Sequence, residues 1–240
     1  MHKKTYLLAA LVLVAICVVL IALGVRHNAA LSTGGGESGG ETAAQETSAP
    51  ITATLAVCGD IMSHSPQTND AYDAATDTYN YKPCFQYVKP WIEAADYAVA
   101  NFETTLNGPP YSGYPQFSAP DALASDIKDT GFDLVTTANN HSMDKGYNGL
   151  VRTLDTLDAA GLAHVGSYRT QEELDSNHGV VVADVGGISV AFLGYTYGTN
   201  GITIPEDRNF CLNRFNTDYA GECKTLDQEG LSQALSYAEG

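Results

Sequence analysis

An α/β fold follows from three observations in the amino-acid sequence. Short runs rich in Val, Ala, Leu and Thr occur at Thr52–Val57, Tyr97–Ala100 and Leu134–Thr137. The stretches between them carry apolar residues at helical spacing, the alternation expected of parallel strands joined by crossovers. Each run leads directly into polar residues: Gly59-Asp60, Asn101-Phe102-Glu103 and Asn139-Asn140-His141. Ligands in such sheets collect beyond the carboxyl ends of the strands. Three strands therefore bring two carboxylates, an imidazole and several amides to one sheet edge. That donor set suits a divalent ion such as Mn, Fe, Zn or Mg.

The N-terminus reads differently from the rest. Lys3 and Lys4 precede Leu7–Val25, nineteen residues without a charge. Such a run is long enough to cross a hydrocarbon core of roughly 30 Å. It is longer than the apolar region of a cleaved signal peptide, roughly 7–15 residues. Residues 1–28 are therefore expected to form an uncleaved membrane anchor. The lysine pair sets the N-terminus in the cytoplasm and the remainder outside, giving a single-pass protein with an extracytoplasmic domain. Residues 29–50 are rich in Gly, Ser, Thr, Ala and Glu and read as a flexible linker. Residues 51–240 form the globular domain.

Within that domain the first strand is Thr52–Val57, and Gly59 permits a turn that exposes Asp60. Residues 66–80 are polar and read as an irregular loop. Phe85, Val88, Trp91 and Ile92 give Cys84–Ala94 a helical spacing, which Pro90 breaks or restarts. Tyr97–Ala100 is the second strand. Asn107–Pro120, with two Gly and four Pro, is a loop over the site edge. A helix starts near Pro120 and ends near Gly131, and Leu134–Thr137 is the third strand. Leu150, Val151, Leu154 and Leu157 make Gly146–Ala160 an amphipathic helix, with Gly161 as its stop. His164–Gly166 is a short fourth strand. Two β runs, Gly179–Asp184 and Ile188–Tyr195, meet at Gly186-Gly187 as a hairpin. Thr196–Lys224 is irregular, and Leu226–Ala238 is a last helix.

Charge and cysteines narrow the function. The net charge is −16. Lys3, Lys4 and Arg26 balance Glu37, Glu41 and Glu46, so the whole imbalance lies after residue 50. An acidic domain argues against nucleic-acid binding, which needs a basic face. An anionic polymer would approach only where bound cations reverse the local potential. Of five cysteines, Cys17 lies in the apolar run and Cys58 packs beneath Gly59 as a small apolar residue. Cys211 and Cys223 are near in sequence and are the expected disulfide. No spacing matches a zinc ribbon or a CxxC motif.

Three motifs carry a family resemblance. They are Leu55–Met62 with Gly59-Asp60, Ala100–Thr104 with Asn101 and Glu103, and Ala138–Gly146 with Asn139-Asn140-His141. With Phe117–Pro120, Gly131–Asp133 and His164–Gly166, they resemble the CapA family of poly-γ-glutamate capsule synthesis. That family lies within the calcineurin-like metallophosphatase superfamily. The resemblance runs in order from residue 52 to about 195. It implies a sandwich of α/β layers and a two-metal centre. Asp60, Glu103 and Asn140 would be metal ligands, with Glu103 the bridging acid and His64 a further ligand at the site mouth. His141 would be the catalytic residue, donating a proton or steadying the transition state. Asn101 and Asn139 would contact substrate. Family members carry two more histidine motifs further on, which His164 and His178 do not match. The expectation is an incomplete sandwich and half a metal site, with weak or no activity.

The blander readings of these residues are ordinary. Asp60 could cap a helix, Asn101 and Asn140 could close turns, and His141 could be a hydrogen-bonded structural histidine. Two functions remain in view. One is a membrane-anchored, metal-dependent hydrolase or transferase of capsule or cell-wall polymer. The other is a non-catalytic surface protein that holds an anionic polymer or serves a capsule synthesis and export complex.

Overall fold

A computed structural model describes residues 49–239. The expected anchor at Leu7–Val25 and most of the linker lie outside the described residues. Among the described residues no helix is long and apolar enough to cross a membrane.

Four parallel strands form the central sheet: β1 (Leu55–Ile61), β4 (Tyr97–Phe102), β5 (Leu134–Thr136) and β6 (Ala163–Val165), in the spatial order β1-β4-β5-β6. Between β1 and β4 lie α1 (Ser65–Ala71), a two-stranded ribbon of β2 (Tyr72–Asp73) and β3 (Thr78–Tyr79), and the helical turns α2 (Lys82–Phe85) and α3 (Lys89–Ile92). The crossover helices are α4 (Ala122–Thr130) and α5 (Gly146–Ala160). After β6 come α6 (Gln171–Asn177), the antiparallel pair β7 (Val180–Val185) and β8 (Ile188–Leu193), a 3-10 turn over Glu206–Cys211, and α7 (Gln228–Glu239).

Strand alternation splits the core in two. Ala98, Ala100, Phe102 and Val135 point to the helix side, where they join Leu123, Ile127, Leu150, Leu154 and Leu157. Val99, Leu134 and Val165 point to the other side and meet Val181 and Phe192 of the hairpin. Phe192 also stacks on Tyr97, with ring centroids 5.3 Å apart. A parallel sheet buried on both faces reads as a nearly continuous apolar run, which is the character of β4 and β5. Full burial of one such side chain contributes about 1.5–3 kcal/mol. The edge strand β1 departs from this pattern. Ala56 and Cys58 pack on the helix side, while Leu55 and Val57 are 40% and 70% exposed on the other.

Both crossover helices stop at glycine. Gly131 and Gly161 take φ of 107° and 75°, and their N–H groups close back on the last carbonyls. Only glycine adopts that conformation without strain.

Four expectations change. Residues 66–80 are not an irregular loop. Pro66 sits in the first turn of α1, and the His64 N–H donates to Gln67 Oε1 at 2.8 Å. Proline is well suited there because a first-turn N–H has no helical partner. The expected helix Cys84–Ala94 is two separate turns, the second restarting at Lys89-Pro90. The α6 helix was not expected, although Thr170 with Glu173 forms a capping signature, and the Thr170 side chain accepts from the Glu173 N–H at 3.1 Å. The expected Cys211–Cys223 disulfide is absent. Cys58, Cys84, Cys211 and Cys223 are all free. Cys211 is wholly buried in the core, whereas Cys223 sits in a turn where its thiol donates to the Tyr219 carbonyl. Nearness in sequence did not bring their side chains together.

Candidate functional site

The expected turn at Gly59-Asp60 is a bulge within β1. Pairing with β4 runs in register through Val57 and resumes, shifted, with Asp60 beside Asn101 and Ile61 beside Phe102. A bulge re-aims the side chain that follows it. Here it places the Asp60 carboxylate at the sheet's carboxyl edge beside the next strand. Asn101 Nδ2 donates to Asp60 Oδ1 and to Glu103 Oε2, each at 2.9 Å. Asn101 Oδ1 is held from the opposite side by Thr136 Oγ1 at 3.1 Å and Asn139 Nδ2 at 3.2 Å. One amide therefore laces three strands and fixes both carboxylates. Burial raises the Glu103 carboxyl above its ordinary range, and the neighbouring Asp60 raises it further. A protonated His141 pulls it the other way, so the imidazole shares the same field.

The loop after β5 is built around its own side chains. Asn139 is buried; its Nδ2 also donates to the Phe102 carbonyl at 2.9 Å, and its Oδ1 accepts from the His141 N–H at 3.0 Å. The His141 ring is nearly covered, with Nδ1 2.8 Å from Asp144 Oδ2. The same Asp144 oxygen accepts from the Phe117 N–H at 2.7 Å, while the buried Asp144 Oδ1 has no partner. Burial pushes the Asp144 carboxyl upward, against the pull of these bonds. Donation from Nδ1 to Asp144 leaves Nε2 as the working nitrogen of the ring. Phe117 stands edge-on between two imidazoles, 4.7 Å from His141 and 4.8 Å from His64. His64 is exposed at the head of α1, at the mouth of the site.

Asn140 is half-buried and donates from Nδ2 to Asn200 Oδ1 at 3.2 Å. Asn200 holds a positive φ of 52°, and its amide lies 3.4 Å from His141 Nδ1. A recess of about 480 Å³ opens here, lined by Tyr114, Asn140, His141, Asp144, Asn200 and Ile202 among others.

The structure thus joins Asp60, Asn101, Glu103, Asn139 and His141 in one hydrogen-bonded and electrostatic network. Asn140 adjoins it through the loop and Asn200, and His64 through Phe117. Asn101 and Asn139 hold protein groups in place. Phe117 and Asn200 were not read from the sequence as site residues. Asn200 gave no signal, lying 59 residues beyond His141 in an irregular stretch. Asp144 did give one, three residues after His141 at the spacing that lets a loop carboxylate return to the ring.

The donor set is hard and oxygen-rich, which fits a divalent ion. Two carboxylates share one amide N–H₂, and the charge on Glu103 is poorly solvated. Both are features that a cation would relieve. Among the described residues, no group of three or more His, Cys, Asp or Glu is close enough to hold an ion. Any ion here would therefore depend on amide oxygens and water as well as the two acids.

An open parallel sheet with acids, amides and an imidazole gathered beyond its strand ends defines an α/β protein with a polar catalytic or binding edge. Residues 54–234 match the family model described as bacterial capsule synthesis protein PGA_cap, and the chain belongs to that family. It is similar to "Capsule biosynthesis protein CapA" of Bacillus anthracis, 28% identical over 149 residues, covering 60% of this chain and 34% of that protein. It is also similar to "PGA biosynthesis protein CapA" of Bacillus subtilis, 31% identical over 118 residues, covering 47% and 30%. The matched stretch spans about a third of each relative's length.

Proposed function

We propose that the chain is the membrane-anchored, extracytoplasmic part of a metal-dependent hydrolase or transferase acting on capsule polymer, poly-γ-glutamate or a wall polymer. The observation that carries the reading is the Asp60–Asn101–Glu103 cluster at the carboxyl edge of the sheet, with His141 in its field. Asp60, Glu103 and the Asn140 amide oxygen would hold a divalent ion, and His64, at the mouth, would be a further ligand. A bound ion of this kind supplies Lewis acidity and a nucleophilic water. The chain's own residues supply the rest. Asn101 and Asn139 fix the acids and the loop, Phe117 screens the imidazole, and His141, steadied by Asp144, gives or takes a proton at Nε2.

A second reading is a non-catalytic subunit that holds an anionic polymer through cations, a use that needs no more acidic ligands than the two at this edge.

One set of measurements separates the readings. Mn²⁺ binding is measured by calorimetry on the chelator-treated chain, and turnover is assayed on poly-γ-glutamate and on a generic phosphodiester. Asp60→Asn and Glu103→Gln are expected to weaken Mn²⁺ binding at least tenfold, about 1.4 kcal/mol. Any turnover should require Mn²⁺ and fall by about 10²–10⁴ in His141→Gln. Mn²⁺-dependent retention of the polymer without turnover would establish the second reading. Mn²⁺ binding indifferent to Asp60 and Glu103 would overturn both. Protease shaving of intact cells tests the topology, and removal of the domain is the expected result.

A further inference from the structure

A second recess, of about 410 Å³, lies between α6, the end of β8, the 3-10 turn and the start of α7. It is lined by different residues from the Asp60 cluster, and its chemistry is different. Amides dominate it: Gln171, Asn209, Asn216 and Gln233 all line it, with Asn213 buried at its wall. Gln171 spends one N–H on Asp175, at 2.7 Å. Asn209 Oδ1 accepts one bond from Arg214, at 2.9 Å. Asn216 spends one N–H on the Tyr197 carbonyl, at 3.3 Å. A carboxamide has two donors and an acceptor with two lone pairs. After these bonds each of the three amides still has at least one donor and one lone pair to offer.

A wall that offers donors and acceptors in similar number suits hydroxyl groups, which both give and accept hydrogen bonds. The rings of Tyr195 and Phe210 add apolar surface to the same recess. Aromatic faces accept the C–H side of a sugar while the polar groups take its hydroxyls. Charge points the same way. Asp175 and Asp227 line the recess against one arginine, Arg214, and one histidine, His178, so the wall is net negative with a neutral imidazole. That guanidinium is already packed over the Tyr219 ring, 4.3 Å from its centroid. An anionic chain would meet a net negative wall, so the polymer proposed for the Asp60 site does not suit this one. The volume lies in the range of small-molecule sites, roughly 300–1,000 Å³. We propose that this recess is a binding site for a neutral sugar, a mono- or disaccharide unit of a glycan, separate from the acid–histidine site.

The test uses the full 240-residue chain in a detergent without a sugar headgroup. Glucose, N-acetylglucosamine and its β-1,4-linked dimer are the probes, with a glutamate oligomer as the anionic comparison. Saturation-transfer NMR and calorimetry give the affinities. At least one neutral sugar is expected to bind with a Kd below about 10 mM. Tyr195→Phe, which keeps the ring, and Gln233→Ala, on an exposed helical position, should each weaken that binding about fivefold, the scale of one lost polar contact. Asp60→Asn should leave it unchanged. The proposal is overturned if no neutral sugar binds, if only the glutamate oligomer binds, or if sugar binding is indifferent to both recess variants. It is also overturned if binding disappears in Asp60→Asn, which would place the sugar in the acid–histidine site.

Discussion

Asp144 shows how much one buried oxygen does at the scale of the residue. Its Oδ2 accepts from both the His141 ring and the Phe117 N–H, and so ties the loop after β5 to the loop over the site. Removing it leaves a buried N–H without a partner, which costs about 1–3 kcal/mol. Asp144→Ala should therefore lower the unfolding free energy, measured by urea titration, by that amount. Asp144→Asn should recover only part of it, because one amide oxygen can accept both bonds but its N–H₂ then takes the buried Oδ1 position, where no acceptor meets it. His164 offers a second case. Its ring is mostly covered, the buried Nδ1 has no partner, and Nε2 meets Asp158 Oδ1 at 3.1 Å. Burial lowers its pKa, against an opposing pull from Asp158. The folded protein thus favours the neutral ring more than the unfolded chain does. The stability this gives is fully present above the ordinary histidine pKa and is lost as pH falls through the lowered one. Between pH 7.5 and 5.5 the wild-type urea midpoint should drop more than that of His164→Gln.

At the scale of the element, the junction between β6 and the site loop leaves no room for a side chain. Gly166 has φ of 110°, and a Cβ there would lie 2.7 Å from Ala138 Cβ and 3.0 Å from the Ala138 nitrogen. Ala138 leads directly into Asn139-Asn140-His141. Forced positive φ alone costs about 1–3 kcal/mol. The clash also pushes on backbone that positions the imidazole. Gly166→Ala should lower stability by at least that range in urea unfolding. It should also shift the ring resonances of His141 in NMR spectra, whereas a remote destabilising change such as Leu157→Ala should leave those resonances in place. The β1 bulge belongs to the same scale. Strand signals located Asp60 near a strand end, but periodicity carries no mark of an inserted residue. The shifted register came from pairing with β4.

At the scale of the whole molecule, the described part is held by two apolar layers on either side of one sheet and by no disulfide among its four described cysteines. A bridge closing a loop as short as Cys211–Cys223 would contribute about 3 kcal/mol. Adding a reductant should therefore leave the unfolding free energy of this chain, measured by urea titration, unchanged. A fall of that size would restore the disulfide expected from the sequence.

The sequence by itself determined the order and kind of the principal strands and crossover helices, the glycine stops, the hairpin at Gly186-Gly187 and the family. Each of these rests on local signals: period, turn chemistry, and motifs a few residues long. It also determined that Asp60, Asn101, Glu103 and Asn139–His141 follow strand ends. The tertiary structure decided what touches what. Asn101 reaches two carboxylates because a bulge shifts one strand against its neighbour. Asn200 reaches His141 from 59 residues away, and Cys211 and Cys223 stay apart although only eleven residues separate them. Contacts of that kind depend on how distant segments are packed together, and no local pattern in the chain records them.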